Sequence, residues 1–205
     1  LSHPTTQATT VEPREDRRAL IARNAASLGQ DRLRIVEGSA PEALDGLEPP
    51  DAVFVGGGLS QALLDRLTDA GIAVVIASGN GGVNGYISHP ACIKNAVAVG
   101  NATKTDNVSP SSNHSPLIDL MAPGDNIYAG VPSRGYSYKS GTSMAAPHVA
   151  GAFALLKEYK PEASVAELQT ALECTGKSIS RGGISKPRID IHGAYRFLKK
   201  NKTDC

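Results

Sequence analysis

An α/β fold with a mostly parallel sheet in three layers, helices on both faces, follows from three features of the sequence. Short β-branched or apolar runs alternate with longer stretches of helical periodicity. Several of these runs are almost continuously apolar, as strands covered on both faces are. Gly and Pro fall between the segments and punctuate the alternation. With 205 residues, 40% of them hydrophobic, the chain can bury one sizeable core. A single domain over 1–205 is expected, with residues 1–8 as a flexible polar tail.

The elements follow in order. Thr9-Thr10-Val11 is a short β-branched strand ended by Pro13. In the helix after it Ile21, Ala25 and Leu28 share one face, and Gly29 closes it. Arg32 to Glu37 reads as a strand through Leu33, Ile35 and Val36, and Asp51 to Val55 as an almost wholly apolar strand running into Gly56-Gly57-Gly58. Ser60 caps the next helix, whose buried stripe is Leu63, Leu64 and Leu67. Gly71 breaks it ahead of the strand Ile72 to Ala77. Ala96 to Val99 and Leu117 to Leu120 are further strands, and Asn126 to Lys139 is an extended excursion or hairpin. A helix then runs from the Ser140-Gly141 turn to about Tyr159. Pro161 starts another, with Ser164 and Glu167 spaced as a capping box and Val165, Leu168 and Leu172 facing inward. Gly182-Gly183 is a turn and Arg188 to Ile191 a short strand. Ala194 to Lys200 forms a terminal helix with basic residues suited to its C-terminal end.

Composition narrows the function. A formal net charge of +1 gives neither sign a surplus, which argues against nucleic acid or a membrane surface as partner. No apolar run approaches the roughly 20 residues of a spanning helix, and Leu1 to Gln7 lack the apolar centre of a secretion signal, so the compartment stays unassigned. Cys92, Cys174 and Cys205 are too few for a disulfide scaffold and lack metal-ligand spacing. One pair with a free terminal thiol is allowed, and no metal site is expected.

The chemistry centres on Ser140-Gly141-Thr142-Ser143-Met144-Ala145-Ala146-Pro147-His148-Val149-Ala150-Gly151. Ser143 stands where a Gly-containing turn meets an apolar helix, among unpaired backbone N–H groups. A hydroxyl there can be a nucleophile, or Thr142 or Ser143 can simply cap the helix. The run resembles, almost letter for letter, the nucleophile motif of the subtilisin-like serine proteases (subtilases). The resemblance implies that Ser143 attacks the scissile carbonyl of a peptide or protein substrate. Upstream, Ala77-Ser78-Gly79-Asn80-Gly81-Gly82 ends a strand, where open α/β sheets place their ligands. It resembles the subtilase oxyanion segment, which would make Asn80 and the Ser143 N–H the oxyanion donors. The family's known cost for losing that Asn is roughly 10²–10³ in turnover. The other reading of Asn80 is a left-handed turn between Gly79 and Gly81. Asn95 to Gly100, Asp119 to Gly124 and Lys186 to Ile189 also look like subtilase stretches, so the resemblance covers roughly Ala70 to Lys200. Ala77, Ser78 and Gly79, with Gly56, Gly57 and Gly58 along a cleft wall, are the substrate-binding candidates; the three consecutive glycines can equally be a packing turn.

A Ser nucleophile needs a base, and the base needs an orienting acid. Subtilases bring an Asp from an early strand and a His from an H-G-T-H-type motif. Neither motif occurs here, and the five histidines are His3, His89, His114, His148 and His192. His148 resembles the family's structural His, and His89 and His114 sit in loops without an acidic neighbour. Loss of the base alone costs about 10⁶ in turnover in this family, so the resemblance implies an inert chain.

The N-terminal third resembles a different family. Val11-Glu12-Pro13-Arg14-Glu15-Asp16-Arg17-Arg18, then Val36-Glu37-Gly38-Ser39-Ala40-Pro41-Glu42 and Pro50-Asp51-Ala52-Val53-Phe54-Val55-Gly56, look like the middle of a decarboxylating precorrin methyltransferase. Those enzymes bind S-adenosylmethionine on a Rossmann-like sheet, and the resemblance would set Glu12 against the cofactor ribose. A carboxylate favoured by the start of a helix is the alternative. The family's first strand and Gly-rich loop are missing, so no cofactor is expected.

The two resemblances meet between Gly56 and Ala70, which implies an engineered or recombined α/β fusion, 9–69 methyltransferase-like and 70–205 subtilase-like. It carries Ser143 and Asn80 without the family's His and Asp, and is expected to be catalytically inactive. The alternatives are a serine endopeptidase with residual activity or completed by another chain, and an S-adenosylmethionine-binding methyltransferase segment. By resemblance to some subtilases, Cys92 and Cys174 would form a disulfide; two buried free thiols are the alternative. One continuous parallel sheet is expected to join the Thr9 and Arg32 strands, through Asp51 to Val55, to Ile72 to Ala77 and beyond. Asn80 and Ser143 would face each other at its carboxyl edge.

Overall fold

The structure is a computed structural model that describes residues 7–48, 53, 55, 59–131 and 135–205. The chain divides into two compact units, Leu1–Arg66 and Leu67–Cys205.

In the first unit β1 (Ala8–Glu12) and β2 (Leu33–Glu37) pair in parallel, from Ala8 against Leu33 to Glu12 against Glu37. Between them runs α1 (Glu15–Ser27), with Glu15 and Asp16 in its first turn, where the helix dipole favours negative charge. Arg18 ties the motif together, donating to the Glu12 and Pro13 carbonyls and pairing with Glu37 at 3.2 Å. Gly29 ends the helix at a φ of +63°, a conformation glycine adopts without a Cβ penalty. The inward face expected of α1 is only half realised: Ile21 and Ala25 are half-buried and Leu28 is exposed. A 3₁₀ turn spans Glu42–Leu44. The expected continuous sheet is not found among the described residues, where β1 and β2 pair with each other. The strand that would join them to the rest, Asp51 to Val55, lies largely outside those residues.

Ser60 does cap α2 (Gln61–Asp69), its Oγ accepting from Leu63 N–H at 3.2 Å, and Leu63, Leu64 and Leu67 are buried.

The second unit is built on a five-stranded sheet in the order β3 (Val75–Ala77), β4 (Val97–Ala102), β5 (Leu120–Pro123), β9 (Ile184–Arg188), β8 (Lys177–Arg181). The first four are parallel, and β8 returns antiparallel along β9. This is the α/β, mostly parallel architecture that the alternation predicts. β4 is buried along its whole length. Its Val97 and Val99 join Leu120 and Ala122 against α3 (Thr142–Tyr159), α4 (Val165–Thr175) and α5 (Ile191–Lys199) in the larger core. Ala98, Ala102 and Met121 belong to the second cluster, with Ile87, Ala91, Val108, Ile118 and Ile179. β6 (Ile127–Val131) and β7 (Gly135–Lys139) form the expected hairpin leading into α3.

Several boundaries move for identifiable reasons. β4 runs on through Gly100 and Asn101 because its pairing with β5 continues to Ala102 against Pro123, and position 100 takes a glycine because a side chain there would collide with Met121. β5 starts at Leu120 rather than Leu117, since Ser115 to Ile118 closes a turn. The strand expected at Arg188 to Ile191 lies earlier. Gly182 and Gly183, at φ of +58° and +78°, make a two-residue hairpin that pairs Lys177–Arg181 with Ile184–Arg188. Asp190 then caps α5, accepting from Gly193 N–H at 2.9 Å. The Ser164 and Glu167 capping box forms as expected.

The disulfide expectation is corrected: Cys174 pairs with Cys205 across a Cα–Cα distance of 5.2 Å, and Cys92 is free and exposed. α5 packs against α4, which returns the chain end to the last turn of α4. Among the described residues no helix is long and apolar enough to cross a membrane.

Candidate active site

The site lies in the second unit, where β3 ends and α3 begins. After Ala77 the chain turns sharply at Gly79, whose φ is +101° and where a side chain would strike Ser88 and Asn113. Asn113 is the pivot of this turn. Its Oδ1 accepts from Gly81 N–H at 2.9 Å and Val83 N–H at 3.3 Å, and its Nδ2 donates to Ser78 O and Ser88 Oγ. Asn113 N–H also donates to Gly79 O at 2.8 Å. A buried amide thus spends both ends of its dipole on holding the loop that carries Asn80.

Asn80 is exposed, and its orientation is fixed by Thr142. Asn80 Oδ1 accepts from Thr142 N–H at 2.9 Å and from Thr142 Oγ1 at 3.2 Å. A backbone N–H can only donate, so the atom facing it must be the oxygen, and Nδ2 turns the other way. Thr142 is fully buried, and its hydroxyl also accepts from Gly79 N–H at 3.2 Å. Gly141, at φ +146°, lies beside the Asn80 amide; a Cβ there would approach Asn80 Oδ1 to 3.1 Å.

Ser143 is the second residue of α3 and is exposed. Among the described residues its hydroxyl and its N–H make no hydrogen bond, and neither does Asn80 Nδ2. Two unspent donors and an accessible hydroxyl therefore sit at the carboxyl edge of the sheet, at the positive end of an 18-residue helix. Such a site can hold the negative oxygen of a tetrahedral intermediate. Asn80 and Ser143 are brought together at this edge, and the left-handed-turn reading of Asn80 is corrected: the positive φ angles of the turn belong to Gly79 and Gly82, not to Asn80.

No described histidine hydrogen-bonds to Ser143. His148 Nδ1 meets the Met144 carbonyl at 2.8 Å, one turn back along α3. His114 is buried with Nε2 against Ile184 O at 3.0 Å, and burial, helped by nearby Arg181 and Lys186, holds its pKa below the usual value. Pro147 removes the N–H that would otherwise bond the Ser143 carbonyl.

The other candidates fare differently. Ser78 is fully buried, with its N–H on Val99 O, its carbonyl accepting from Ser88 N–H and its hydroxyl on Asn113 O. Its polar groups are thus engaged within the fold. Ala77 and Gly79 are half-buried. Gly56, Gly57 and Gly58 lie outside the described residues. Glu12 spends its carboxylate locally, accepting from Arg14 N–H at 3.0 Å and facing Arg17 at 3.7 Å. Among the described residues no group of three or more His, Cys, Asp or Glu side chains is placed to hold a metal.

The sequence offered Thr142 only as a helix cap and did not single out Asn113. Thr142 carried a signal, being adjacent to Ser143 at a helix start; Asn113, 33 positions from Asn80, carried none.

Comparison with known proteins accords with this geometry. The sequence profile of the Subtilase family matches residues 14–188, beginning upstream of the Gly56 to Ala70 junction. Subtilisin Savinase of Lederbergia lenta is 41% identical over 121 residues, 59% of this chain and 44% of that protein. Thermitase of Thermoactinomyces vulgaris is 38% identical over 142 residues, 68% of this chain and 50% of that one. The matched stretch thus spans at most half of either relative. Among solved structures, the protease domain of PatA superposes with a TM-score of 0.61 at 21% identity, over 89% of this chain and 64% of that one. By a family match that covers most of its length, and with the Ser143 motif at the head of α3, this chain belongs to the subtilase family.

Proposed function

We propose that this chain forms the nucleophile and oxyanion half of a serine endopeptidase site acting on peptide or protein substrates. Ser143 is the nucleophile, and Asn80 Nδ2 with the Ser143 N–H receives the oxyanion. The supporting observation is the double donation of Thr142 to Asn80 Oδ1, which turns the amide donor outward. Ala77 and Gly79 line the substrate side of the same turn. Ser143 Oγ has no base among its described neighbours, so the chain by itself hydrolyses peptides only at background. Turnover then requires a general base and an orienting acid in addition to the residues described.

The experiment is incubation with a fluorophosphonate probe followed by mass spectrometry of the intact protein. No appreciable labelling is expected. Stoichiometric labelling that disappears in Ser143→Ala would overturn the inactive reading in favour of an endopeptidase with residual activity.

The same proposal includes a methyltransferase-like origin for residues 9–69, joined to the subtilase part as a fusion. What supports it is the parallel β1–α1–β2 unit with Glu12 at the end of its first strand. The family match starting at Arg14 weighs against it. Calorimetric titration with S-adenosylmethionine is expected to show no binding, because the Glu12 carboxylate is already engaged.

A further inference from the structure

We infer that Arg181, at the end of β8 and remote in sequence from both Asn80 and Ser143, is a positioning residue for the oxyanion site. Its guanidinium gathers three backbone carbonyls and one amide oxygen. Nε donates to Asn84 Oδ1 at 2.8 Å, Nη2 to Ser112 O at 2.5 Å, and Nη1 to Ser109 O at 2.8 Å and Pro110 O at 3.4 Å. Among the described residues no carboxylate takes part, so the arginine is spent on backbone geometry rather than on charge neutralisation.

The segment it grips carries both walls of the site. Ser109, Ser112, Asn113, His114 and Ser115 are all buried, although every one is polar. One arm runs to the oxyanion loop: Asn113 holds Gly79, Gly81 and Val83, and Gly82 N–H donates to Ser111 O at 2.8 Å. The other arm runs to the head of α3. Ser109 Oγ and Asn101 Nδ2 both donate to Asp125 Oδ1, and Ser112 Oγ accepts from Asn101 N–H. The turn that contains Asp125 then receives Gly141 N–H at Gly124 O, and Asn126 N–H donates to Ser140 Oγ, both at 2.9 Å. A displacement of Ser109 to Asn113 therefore moves Asn80 and the start of α3 together.

Arginine suits this post for a geometric reason. Its planar fork presents donors in fixed directions and reaches several acceptors at once, whereas a lysine ammonium acts as a point charge on a flexible stem. Without the fork, the carbonyls of Ser109, Pro110 and Ser112 lose the donor that holds them together, although Ser109 O keeps its bond from Ser112 N–H. The Gly182-Gly183 hairpin seats the arginine, since Gly182 lies against Asn84, with only 2.8 Å between a Cβ there and Asn84 Nδ2.

The inference rests on Asn80 and Ser143 being the site, and its test uses no reactivity of Ser143, so the two readings fail separately. Residue-resolved amide hydrogen exchange is compared in the full chain and in Arg181→Met and Arg181→Lys. In Arg181→Met, protection at Gly81, Val83, Gly141 and Thr142 is expected to fall by about tenfold or more, while Val97 and Ile189 in the core sheet keep theirs. The Asn80 side-chain amide resonance shifts with them. Arg181→Lys, which keeps charge and bulk, is expected to recover only part of the protection. Equal loss at all amides would make Arg181 a general stabiliser, and unchanged protection at Gly81 and Val83 would remove it from the site; either overturns the inference. Should Arg181→Met fail to fold, Arg181→Lys decides alone: full wild-type protection there overturns the claim that the fork is required.

Discussion

Thr142 gives Asn80 Oδ1 two protons, one from its backbone N–H at 2.9 Å and one from its hydroxyl at 3.2 Å. Thr142 thereby fixes the Asn80 amide with its Nδ2 turned away from the helix start. Because the same hydroxyl accepts from Gly79 N–H, the two ends of the site share one buried oxygen. Thr142→Val keeps the backbone bond and the shape but leaves Gly79 N–H without its partner. That should cost about 1–3 kcal/mol in chemical denaturation. Thr142→Ser retains the hydroxyl and should lose only about 1 kcal/mol for the missing methyl. A Val variant as stable as the Ser variant would show that the shared oxygen contributes nothing.

The site was legible in the sequence where its residues lie next to a nameable motif, and illegible where they act across space. Ser143 and Asn80 stand in short runs whose chemistry can be stated from the residues alone. Asn113 and Arg181 reach them through folded-state contacts over 32 and 69 or more positions, and no local pattern encodes such contacts. Elements showed the same division. The capping box at Ser164 and the stripe at Leu63, Leu64 and Leu67 are local signals, and both form. Local propensity gave no sign of β8, with its sequence Lys-Ser-Ile-Ser-Arg, because pairing across Gly182-Gly183 makes it a strand. Its neighbour β9 accepts Pro187 opposite Ser178 although β9 is not the edge strand, because β5 pairs with β9 only at Met121 and Arg188.

The pairing of Cys174 with Cys205 predicts a simple peptide map. Without reduction, the peptides containing these two residues should remain linked, and Cys92 should alkylate in the folded protein. The loop closed spans 31 positions, for which the chain-entropy account gives about 3–4 kcal/mol. Cys205→Ser should lose no more than that. A linked pair containing Cys92 would refute the assignment.

His114 should make stability depend on pH in the weakly acidic range. It is buried with its Nε2 on Ile184 O, its Nδ1 has no partner among the described residues, and Arg181 and Lys186 are the charges that bear on it. Burial is the largest influence and disfavours the imidazolium, and the two cations add to it, while the bond to Ile184 O opposes them without cancelling the effect. Its pKa is therefore lower folded than unfolded, and between those values the unfolded chain binds more protons. Stability is thus retained above the ordinary histidine pKa and declines as pH falls through the window below it. His114→Gln, which can still donate to Ile184 O, should flatten that decline in denaturation midpoints measured from pH 8 to pH 5. An unchanged slope would place the proton uptake elsewhere.

Asp119 titrates with the opposite consequence. Its Oδ2 accepts from Ala98 N–H at 2.7 Å, and its own N–H donates to Ala98 O at 3.0 Å, so the side chain completes the pairing with β4 just before β5 begins. Burial is the largest influence and raises its pKa; Glu173 adds to this, while the Ala98 bond and Lys186 oppose it. A carboxyl with a folded pKa above its unfolded value contributes stability that is fully present below the unfolded pKa. That contribution is lost as pH rises through the folded pKa, so at neutral pH the fold carries the cost of a poorly solvated charge. Asp119→Asn keeps an acceptor for Ala98 N–H and removes the charge. The variant should therefore be more stable than the parent at pH 8, and the gap should close as pH is lowered toward 3, where the carboxyl is protonated in both states. Thermal midpoints across that range measure it. A variant less stable at pH 8 than at pH 3, relative to the parent, would mean that the charged carboxylate is favoured where it stands, with the hydrogen bond to Ala98 outweighing burial.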